Sequence, residues 1–177
     1  MNDLQKSAVL VALAAQMDKK GSRCSETHMQ KAVYFLQRLL AVPTNFDFVL
    51  YKYGPFSFDL RDQLTGMRAD GILYLTPQPP YGPSFVPTKL GMGLVKHFSK
   101  SVGKYHKKLN FVATCLAAQN VAELEKLATA LYVTLDKKIR SVESRSNAIN
   151  ELKPHISLEE AAAAVKKVDK MVSAARA

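Results

Sequence analysis

The spacing of apolar and polar residues along the chain predicts a mainly helical protein with a small β-hairpin. Leu4–Met17 is mostly apolar and predicts a buried first helix, which stops before Gly21. Over Thr27–Ala41 apolar residues recur every three or four positions, which predicts a second helix with one buried face. The opposite side of this helix carries the polar residues Lys31, Tyr34, Gln37 and Arg38.

Capping signals predict where the next helices begin and end. Thr27 and Gln30 have the spacing of a capping box, so we expect them at the start of the second helix. Ser57 is expected to cap a third helix, and Gly71 is expected to end it in the left-handed conformation. The third helix should bury Leu60, Leu64 and Met67 and expose Arg61, Thr65 and Arg68 on another face.

Extended segments flank the third helix. A short run before it ends in a turn at Gly54-Pro55, and a hairpin with arms Ile72–Thr76 and Phe85–Pro87 follows it. Prolines fill the hairpin tip, so we expect the tip to project without regular pairing. A further helix begins through Pro87-Thr88. This element order is typical of a winged-helix domain.

Beyond Leu94 the pattern is helical. It predicts basic helices over Leu90–Ser101 and Tyr105–Ala118, divided near Gly103. Asn120 and Glu123 are expected to cap the next helix. The apolar face of that helix consists of Leu124, Leu127, Ala128, Leu131, Leu135 and Ile139.

The last part of the chain predicts a hinge or short helix over Arg140–Asn150, then a final helix. Ser157 and Glu160 form the capping box that begins it. We expect its stripe to pack within the chain on the preceding leucine face, and the stripe consists of Leu158, Ala162, Val165, Val168, Val172 and Ala175. The prediction is a winged-helix-like core over residues 1–101 and a helical C-terminal region over 102–177 packed on it.

Charge adds a possible partner. The chain carries a net charge of +10, and no acidic residue lies between Asp70 and Glu123. Such a field attracts nucleic acid, an anionic membrane face or an acidic protein, and it also serves solubility alone. The lysines in this acid-free interval are Lys89, Lys96, Lys100, Lys104, Lys107 and Lys108.

Other sequence features indicate the compartment. No apolar run reaches the roughly 18 residues of a membrane span, so we expect no membrane partner. Asp3 lies where a secretion signal would be basic, which favours a buried helix over a leader. Cys24 and Cys115 form no disulfide framework and fit a reducing cytoplasm. A monomer and a homodimer both remain possible.

Motifs for catalysis, metals or cofactors are not expected. Gly91-Met92-Gly93 lacks the third glycine and the βαβ context of a phosphate loop. Cys24 and His28 have one metal-compatible spacing, but no second Cys/His pair completes a tetrahedral site. We therefore expect no enzyme, no metal and no cofactor.

The third helix raises a conflict for DNA binding. Arg61 and Arg68 could contact base edges if this helix entered a major groove. Asp59, Asp62 and Asp70 would be repelled by the phosphates. Nucleic acid is thus expected along Lys89–Lys108, or the third helix binds a protein.

A family resemblance bears on that choice. Lys31, Tyr34 and Phe35, followed by the turn Tyr53-Gly54-Pro55, resemble small bacterial proteins related to the Panacea antitoxin domain and SocA-type antitoxins. The resemblance covers about residues 30–93. It implies a non-enzymatic domain that neutralises a toxin by contact or delivers it to a protease.

Two hypotheses follow for a bacterial or phage-type binding protein. The leading one is nucleic-acid binding in regulation or defence, through the six lysines with Arg61 and Arg68. The alternative is an antitoxin-like module that binds a partner such as a toxin. Its expected contact residues are Tyr34, Tyr53, Gly54, Pro55, Asp59 and Asp62. A continuous positive face would favour the first, and an exposed apolar patch beside the aspartates would favour the second.

Overall fold

The structure, a computed structural model, describes residues 1–176. This part of the chain forms eight helices and two antiparallel pairs of strands, which confirms the predicted mainly α fold with a small β-hairpin. The helices are α1 (Asp3–Lys19), α2 (Glu26–Arg38), α3 (Phe58–Ala69), α4 (Lys89–His97), α5 (Ser99–Leu116), α6 (Val121–Leu135), α7 (Val142–Leu152) and α8 (Leu158–Arg176). The strands are β1 (Val49–Tyr51), β2 (Gly54–Phe56), β3 (Leu73–Gln78) and β4 (Tyr81–Pro87).

Helix α1 is the central element of the core. Every residue of its segment 7–14 is buried, because α4, α5 and β4 all pack around it. The buried first helix predicted over Leu4–Met17 is confirmed, with Asn2 and Gln5 forming the capping box. Among residues 1–176, no helix has both the length and the apolar character that crossing a bilayer requires.

Helix α2 departs from its prediction at its start and on its polar side. It begins at Glu26 after Ser25, and the capping box expected at Thr27 and Gln30 is wrong. Gln30 instead accepts a hydrogen bond from Ser57 N and donates one to Ser57 O, both at 2.9 Å. Lys31, expected on the outer side, is also buried, because its ammonium donates a hydrogen bond to the distant Pro55 carbonyl.

The extended run before α3 is a hairpin that the sequence pattern did not predict. Tyr51 pairs with Gly54, so the two-residue turn is Lys52-Tyr53 and the turn predicted at Gly54-Pro55 is displaced. Gly54 has φ +81°, a conformation that side chains resist. Strands of three residues are too short for an alternating pattern to stand out.

Helix α3 follows its prediction closely. The Ser57 hydroxyl accepts a hydrogen bond from Leu60 N, and Gly71 adopts φ +69° just beyond the helix. One face is buried against α2 and β3, and the opposite side faces solvent. The predicted inner residues Leu60, Leu64 and Met67 are buried.

The second hairpin is longer than predicted. Strands β3 and β4 pair from Leu73 with Pro87 to Gln78 with Tyr81, across an irregularity near Thr76. The expectation of an unpaired tip is therefore wrong. Pro79 and Pro80 occupy the two-residue turn itself, where the ladder needs no donor.

Helices α4 and α5 meet at a different residue from the one predicted. Helix α4 begins just after Pro87-Thr88, as expected, and the Thr88 hydroxyl caps it. The break lies at Phe98, with φ −96° and ψ 32°, and Gly103 lies inside α5. Buried contacts of α5 with α1 stabilise the helix through this glycine. Residue 101, the predicted boundary of the core, lies within α5.

The C-terminal helices pack on one another within the chain. Asn120 caps α6, and Ser157 and Glu160 form the predicted capping box before α8. The segment predicted as a hinge or short helix is helix α7. Helix α8 contacts both α6 and α7, so its buried band is shifted from the predicted stripe, and Leu158 is exposed. The buried residues of α8 are Ala161, Ala164, Val165, Val168 and Met171.

Candidate interaction surface

An exposed cluster of apolar side chains covers the β1–β2 hairpin and the start of α3. We call it the aromatic surface, and its members are Val49, Tyr51, Tyr53, Phe56 and Phe58. Four of them are strongly exposed: Val49 49%, Tyr51 55%, Tyr53 49% and Phe58 42%. Monomeric proteins leave few such contiguous apolar patches in water, which makes this one a candidate contact surface.

Three rings of the aromatic surface, those of Tyr51, Phe56 and Phe58, contact one another. Ring centroids of Tyr51 and Phe56 are 5.8 Å apart, those of Tyr51 and Phe58 are 5.6 Å apart, and those of Phe56 and Phe58 are 5.2 Å apart. These are the separations of attractive aromatic pairs. These three side chains are therefore held against each other before any partner arrives.

Charged groups border the aromatic surface. The Arg61 guanidinium lies 5.2 Å from the Phe58 ring centroid and donates two hydrogen bonds to Asp62 Oδ1, at 2.9 and 3.0 Å. The Lys52 ammonium lies 5.6 Å from the Tyr53 ring centroid. Asp59 and Asp62 are exposed beside them. Tyrosine, phenylalanine and arginine at the centre of a patch are the residues enriched in protein interfaces.

The residues predicted for protein binding divide into exposed and buried ones. Tyr53, Asp59 and Asp62 are exposed on or beside the aromatic surface. Gly54 and Pro55 are buried, and the expectation that they contact a partner directly is wrong. The sequence predicted the turn but could not show which side of it faces α6.

Tyr34 was also expected on the contact surface and is buried instead, which corrects that prediction. Its hydroxyl donates a hydrogen bond to Asp136 Oδ2 at 2.5 Å. Burial and this carboxylate raise the pKa of Tyr34 well above its ordinary range. The residue joins α2 to the end of α6 and is unavailable to a partner.

Beneath the hairpin lies a group of buried charges, which we call the lysine cluster: Lys31, Glu125 and Lys153. Lys31 Nζ donates a hydrogen bond to Pro55 O at 2.9 Å. Lys153 Nζ donates to Tyr51 O and to Lys52 O, both at 2.6 Å, and lies 3.5 Å from Glu125 Oε1. Burial lowers the pKa of Lys31 to about 8, although the Glu125 carboxylate raises it.

The residues predicted for nucleic-acid binding are not all available. Lys100, Lys104 and Lys107 recur at helical spacing on the exposed side of α5. Lys89 and Lys96 are exposed on α4. Lys108 instead donates a hydrogen bond from its ammonium to Leu40 O at 2.6 Å, so it serves the fold.

The two predicted base-contacting arginines lie on another element. Arg61 and Arg68 are exposed on α3, which packs on α2 and β3, whereas α5 packs on α1 and α2. Both arginines line a cavity of about 360 Å³ between α3, the start of α2 and the β3–β4 hairpin, together with Glu26. The Asp62 carboxylate already binds Arg61, which reduces the positive charge there.

In the sequence, the spacing of His28 from Cys24 indicates only a candidate metal ligand and gives no sign of the hydrogen bonds that His28 makes in the fold. His28 Nε2 lies 3.0 Å from Gln119 O, and Nδ1 lies 2.8 Å from Ser25 Oγ. A carbonyl only accepts, so Nε2 carries the proton and Ser25 donates to Nδ1. Burial lowers the pKa of His28. The hydrogen bond between His28 and Gln119 O joins the start of α2 to the α5–α6 junction.

Cys24 is the other residue with the metal-compatible spacing. Burial raises the pKa of its thiol to about 12. Within residues 1–176, no three His, Cys, Asp or Glu side chains are grouped so as to hold a metal ion.

No model of a known protein family matches the chain, and no curated protein matches it either. The two segments that resemble Panacea and SocA-type antitoxins do meet in space, because Lys31 Nζ binds Pro55 O. Kinship with those antitoxins stays a prediction.

Proposed function

We propose that the protein is a non-enzymatic, antitoxin-like binding protein that docks a protein partner on the aromatic surface. The observation that carries the proposal is the exposure of Val49, Tyr51 and Phe58 around Phe56, with the exposed Tyr53 in the adjoining turn. Leaving these side chains in water forfeits free energy that a partner would recover. Fully burying one large apolar side chain is worth about 1.5–3 kcal/mol.

The border charges specify the chemistry of the partner. Asp59 and Asp62 are exposed beside the rings, so a complementary partner has an apolar pocket with lysine or arginine next to it. Lys52 and Arg61 at the same border offset these two carboxylates, so the border offers a phosphate backbone no net attraction. The resemblance to Panacea and SocA-type antitoxins makes a toxin the class of protein that we favour.

Site-specific photocrosslinking tests the proposal. A photoreactive phenylalanine analogue is placed at position 51 or 53, and at Tyr74 of β3 as a matched control, since Tyr74 is a tyrosine with 49% exposure on the other hairpin. The variants are expressed in the organism of origin and illuminated. Positions 51 and 53 should yield one discrete protein adduct that position 74 does not. Equal adducts at all three positions, or none, would contradict docking on this surface.

A second candidate is nucleic-acid binding by α4 and α5. It is favoured by the exposed row Lys100, Lys104 and Lys107 and by the absence of acidic residues between Asp70 and Glu123. Lysines at this spacing contact successive phosphates without reading sequence. This function would coexist with protein docking, as α5 and the β1–β2 hairpin are different elements.

Salt-dependent binding to a generic duplex tests this candidate. Each phosphate neutralised adds roughly 0.9 to the log–log salt slope, so the slope should fall by about 2–3 when Lys100, Lys104 and Lys107 all become Glu. Three exposed lysines outside α5, Lys20, Lys166 and Lys170, changed to Glu give the same net charge as a control. Equal losses in the two triple variants would indicate attraction by net charge alone.

A further inference from the structure

Two lysines that are far apart in the sequence hold the β1–β2 hairpin from its buried side. Lys31 belongs to α2 and Lys153 follows α7, and they are 1% and 7% exposed. Together they bind the carbonyls of Tyr51, Lys52 and Pro55. These carbonyls lie in and around the turn that carries Tyr53.

Helix α6 closes the space beneath the turn. A Cβ on Gly54 would lie 3.1 Å from Thr129 Oγ1 and 3.5 Å from Glu125 O, so the backbone of the hairpin lies directly against α6. Glu125 Oε1 also lies 3.3 Å from His155 Nε2, in the segment between α7 and α8. The hairpin, α6 and the α7–α8 junction therefore meet at the lysine cluster.

Burying two ammonium groups against one carboxylate is a costly way to stabilise a core. Removing an ion from water carries a penalty that apolar side chains of similar size avoid. An ammonium does offer three donors, and Lys153 directs two of them to the carbonyls of Tyr51 and Lys52, while the Glu125 carboxylate lies 3.5 Å away as an ion-pair partner. Such donors fix backbone position, which an apolar side chain cannot do.

We propose that the lysine cluster positions the aromatic surface for docking, so that the α7–α8 junction controls how the hairpin is presented to a partner. The proposal rests on the proposed function of the aromatic surface. Lys31 and Lys153 act here as positioning residues that touch the hairpin backbone and leave its outward side chains free. Without them the partner must order the hairpin itself, and that ordering weakens binding.

A fluorescent reporter measures the order of the hairpin without any partner. The chain contains no tryptophan, so Tyr53→Trp gives indole emission from the hairpin alone. In this background Lys153→Met removes the donors, Lys153→Arg keeps a cationic donor, and Lys166→Met is the control at an exposed lysine of α8. Acrylamide quenching of the indole emission and amide hydrogen exchange of β1 and β2 are then compared, with α1 as the internal reference.

Lys153→Met should raise the quenching constant about twofold and speed hairpin amide exchange roughly tenfold while α1 exchange stays unchanged. Lys153→Arg should restore part of the protection. If Lys153→Met matches Lys166→Met in both measurements, the proposal is overturned. Should Lys153→Met fail to fold, Glu125→Gln takes its place. It keeps the side-chain volume and removes the charge, and an unaltered hairpin there overturns the proposal too.

Partner binding separates this proposal from the proposed function. Against the partner captured by crosslinking, Lys153→Met should bind about tenfold more weakly, because the hairpin must be ordered on binding. Hairpin loosening together with no adduct at positions 51 and 53 would refute docking and keep the positioning role. A captured partner that binds Lys153→Met as tightly as the native protein would refute the positioning role alone.

Discussion

At Gly54 the backbone has φ +81°, and a Cβ would meet Thr129 Oγ1 at 3.1 Å. Gly71 has a similar φ of +69° but nothing within 4 Å of where its Cβ would lie. Comparing the two positions therefore distinguishes the effect of backbone strain, present at both, from the effect of close packing, present only at Gly54. At Gly71 only the left-handed backbone demands glycine, whereas at Gly54 the packing of the turn on α6 demands it as well.

Alanine at these two positions should differ in cost. Gly71→Ala should lower the free energy of unfolding by about 1 kcal/mol through strain alone, and Gly54→Ala by about 2 kcal/mol or more because it also crowds Thr129. Urea unfolding of both variants at one pH measures the difference. If Gly54→Ala costs no more than Gly71→Ala, the hairpin does not lie against α6 as described.

His28 gives the fold a dependence on acidic pH. Burial lowers its folded-state pKa below the ordinary 6.5, so as pH falls through 6.5 the unfolded chain binds a proton that the folded protein does not. Stability from this residue is therefore full above that pH and is lost below it. His28→Gln should flatten the fall in unfolding free energy between about pH 7 and pH 5, while the exposed-site control His106→Gln should not. Equal pH slopes in the two variants would contradict a buried neutral His28.

Helix α5 shows that a glycine in the sequence does not by itself mark the end of a helix. Glycine inside a helical pattern predicted a break at Gly103, yet the break lies at Phe98. The intrinsic cost of glycine in a helix is below about 1 kcal/mol, which the buried contacts of Val102, Tyr105 and Leu109 exceed. Packing against α1 therefore decides the helix boundary.

Gly103→Ala should stabilise the protein by about 0.5–1 kcal/mol, because the site is helical and has open space around it. Gly91 in α4 is the contrasting position, since a Cβ there would lie 2.3 Å from Ile72 O. Gly91→Ala should instead destabilise by about 2 kcal/mol. Thermal and urea unfolding measure the stability changes of both variants. If Gly103→Ala destabilises the protein, Gly103 does not lie in a regular helix and the break predicted at this residue is correct.

The sequence pattern predicted α3, with one buried face, and the mostly apolar α1, but it failed for the polar side of α2, which is buried as well. Helix α3 exposes Arg61 and buries Leu64 as expected. Helix α2 buries Lys31 and Tyr34, because Pro55 and Asp136 supply partners that only the folded chain brings near. No local pattern carries such long-range partners, so polar residues in a buried helix are mistaken for a solvent face.

Across the whole molecule, the same limit applies to the candidate site. Tyr53, Asp59 and Asp62 could be named from the sequence, because the Tyr-Gly-Pro turn and the aspartates stand out. Tyr51 and Phe58 could not be grouped with them, since strands β1 and β2 are too short to show an alternation of apolar and polar residues. The lysine cluster was equally hidden, because it joins α2 to the α7–α8 junction.

Net charge likewise overstates the positive surface. Of the cations that give the chain +10, Lys31 and Lys153 are buried and Lys108 is bound to Leu40 O. The Asp62 carboxylate offsets Arg61 beside the aromatic surface. The exposed apolar patch beside Asp59 and Asp62 is the feature that separates the two functional hypotheses, and it favours a protein partner.

Calorimetric titration of the crosslinked partner, once purified, against side-chain variants tests docking most directly. Tyr51→Ala and Phe58→Ala should each weaken binding about tenfold or more, as central interface aromatics do, while melting temperatures stay close to native. Tyr74→Ala, on the other hairpin at comparable exposure, should change the Kd by less than about twofold. If Tyr74→Ala weakens binding as much as Tyr51→Ala, or if neither does, the aromatic surface is not where the partner binds.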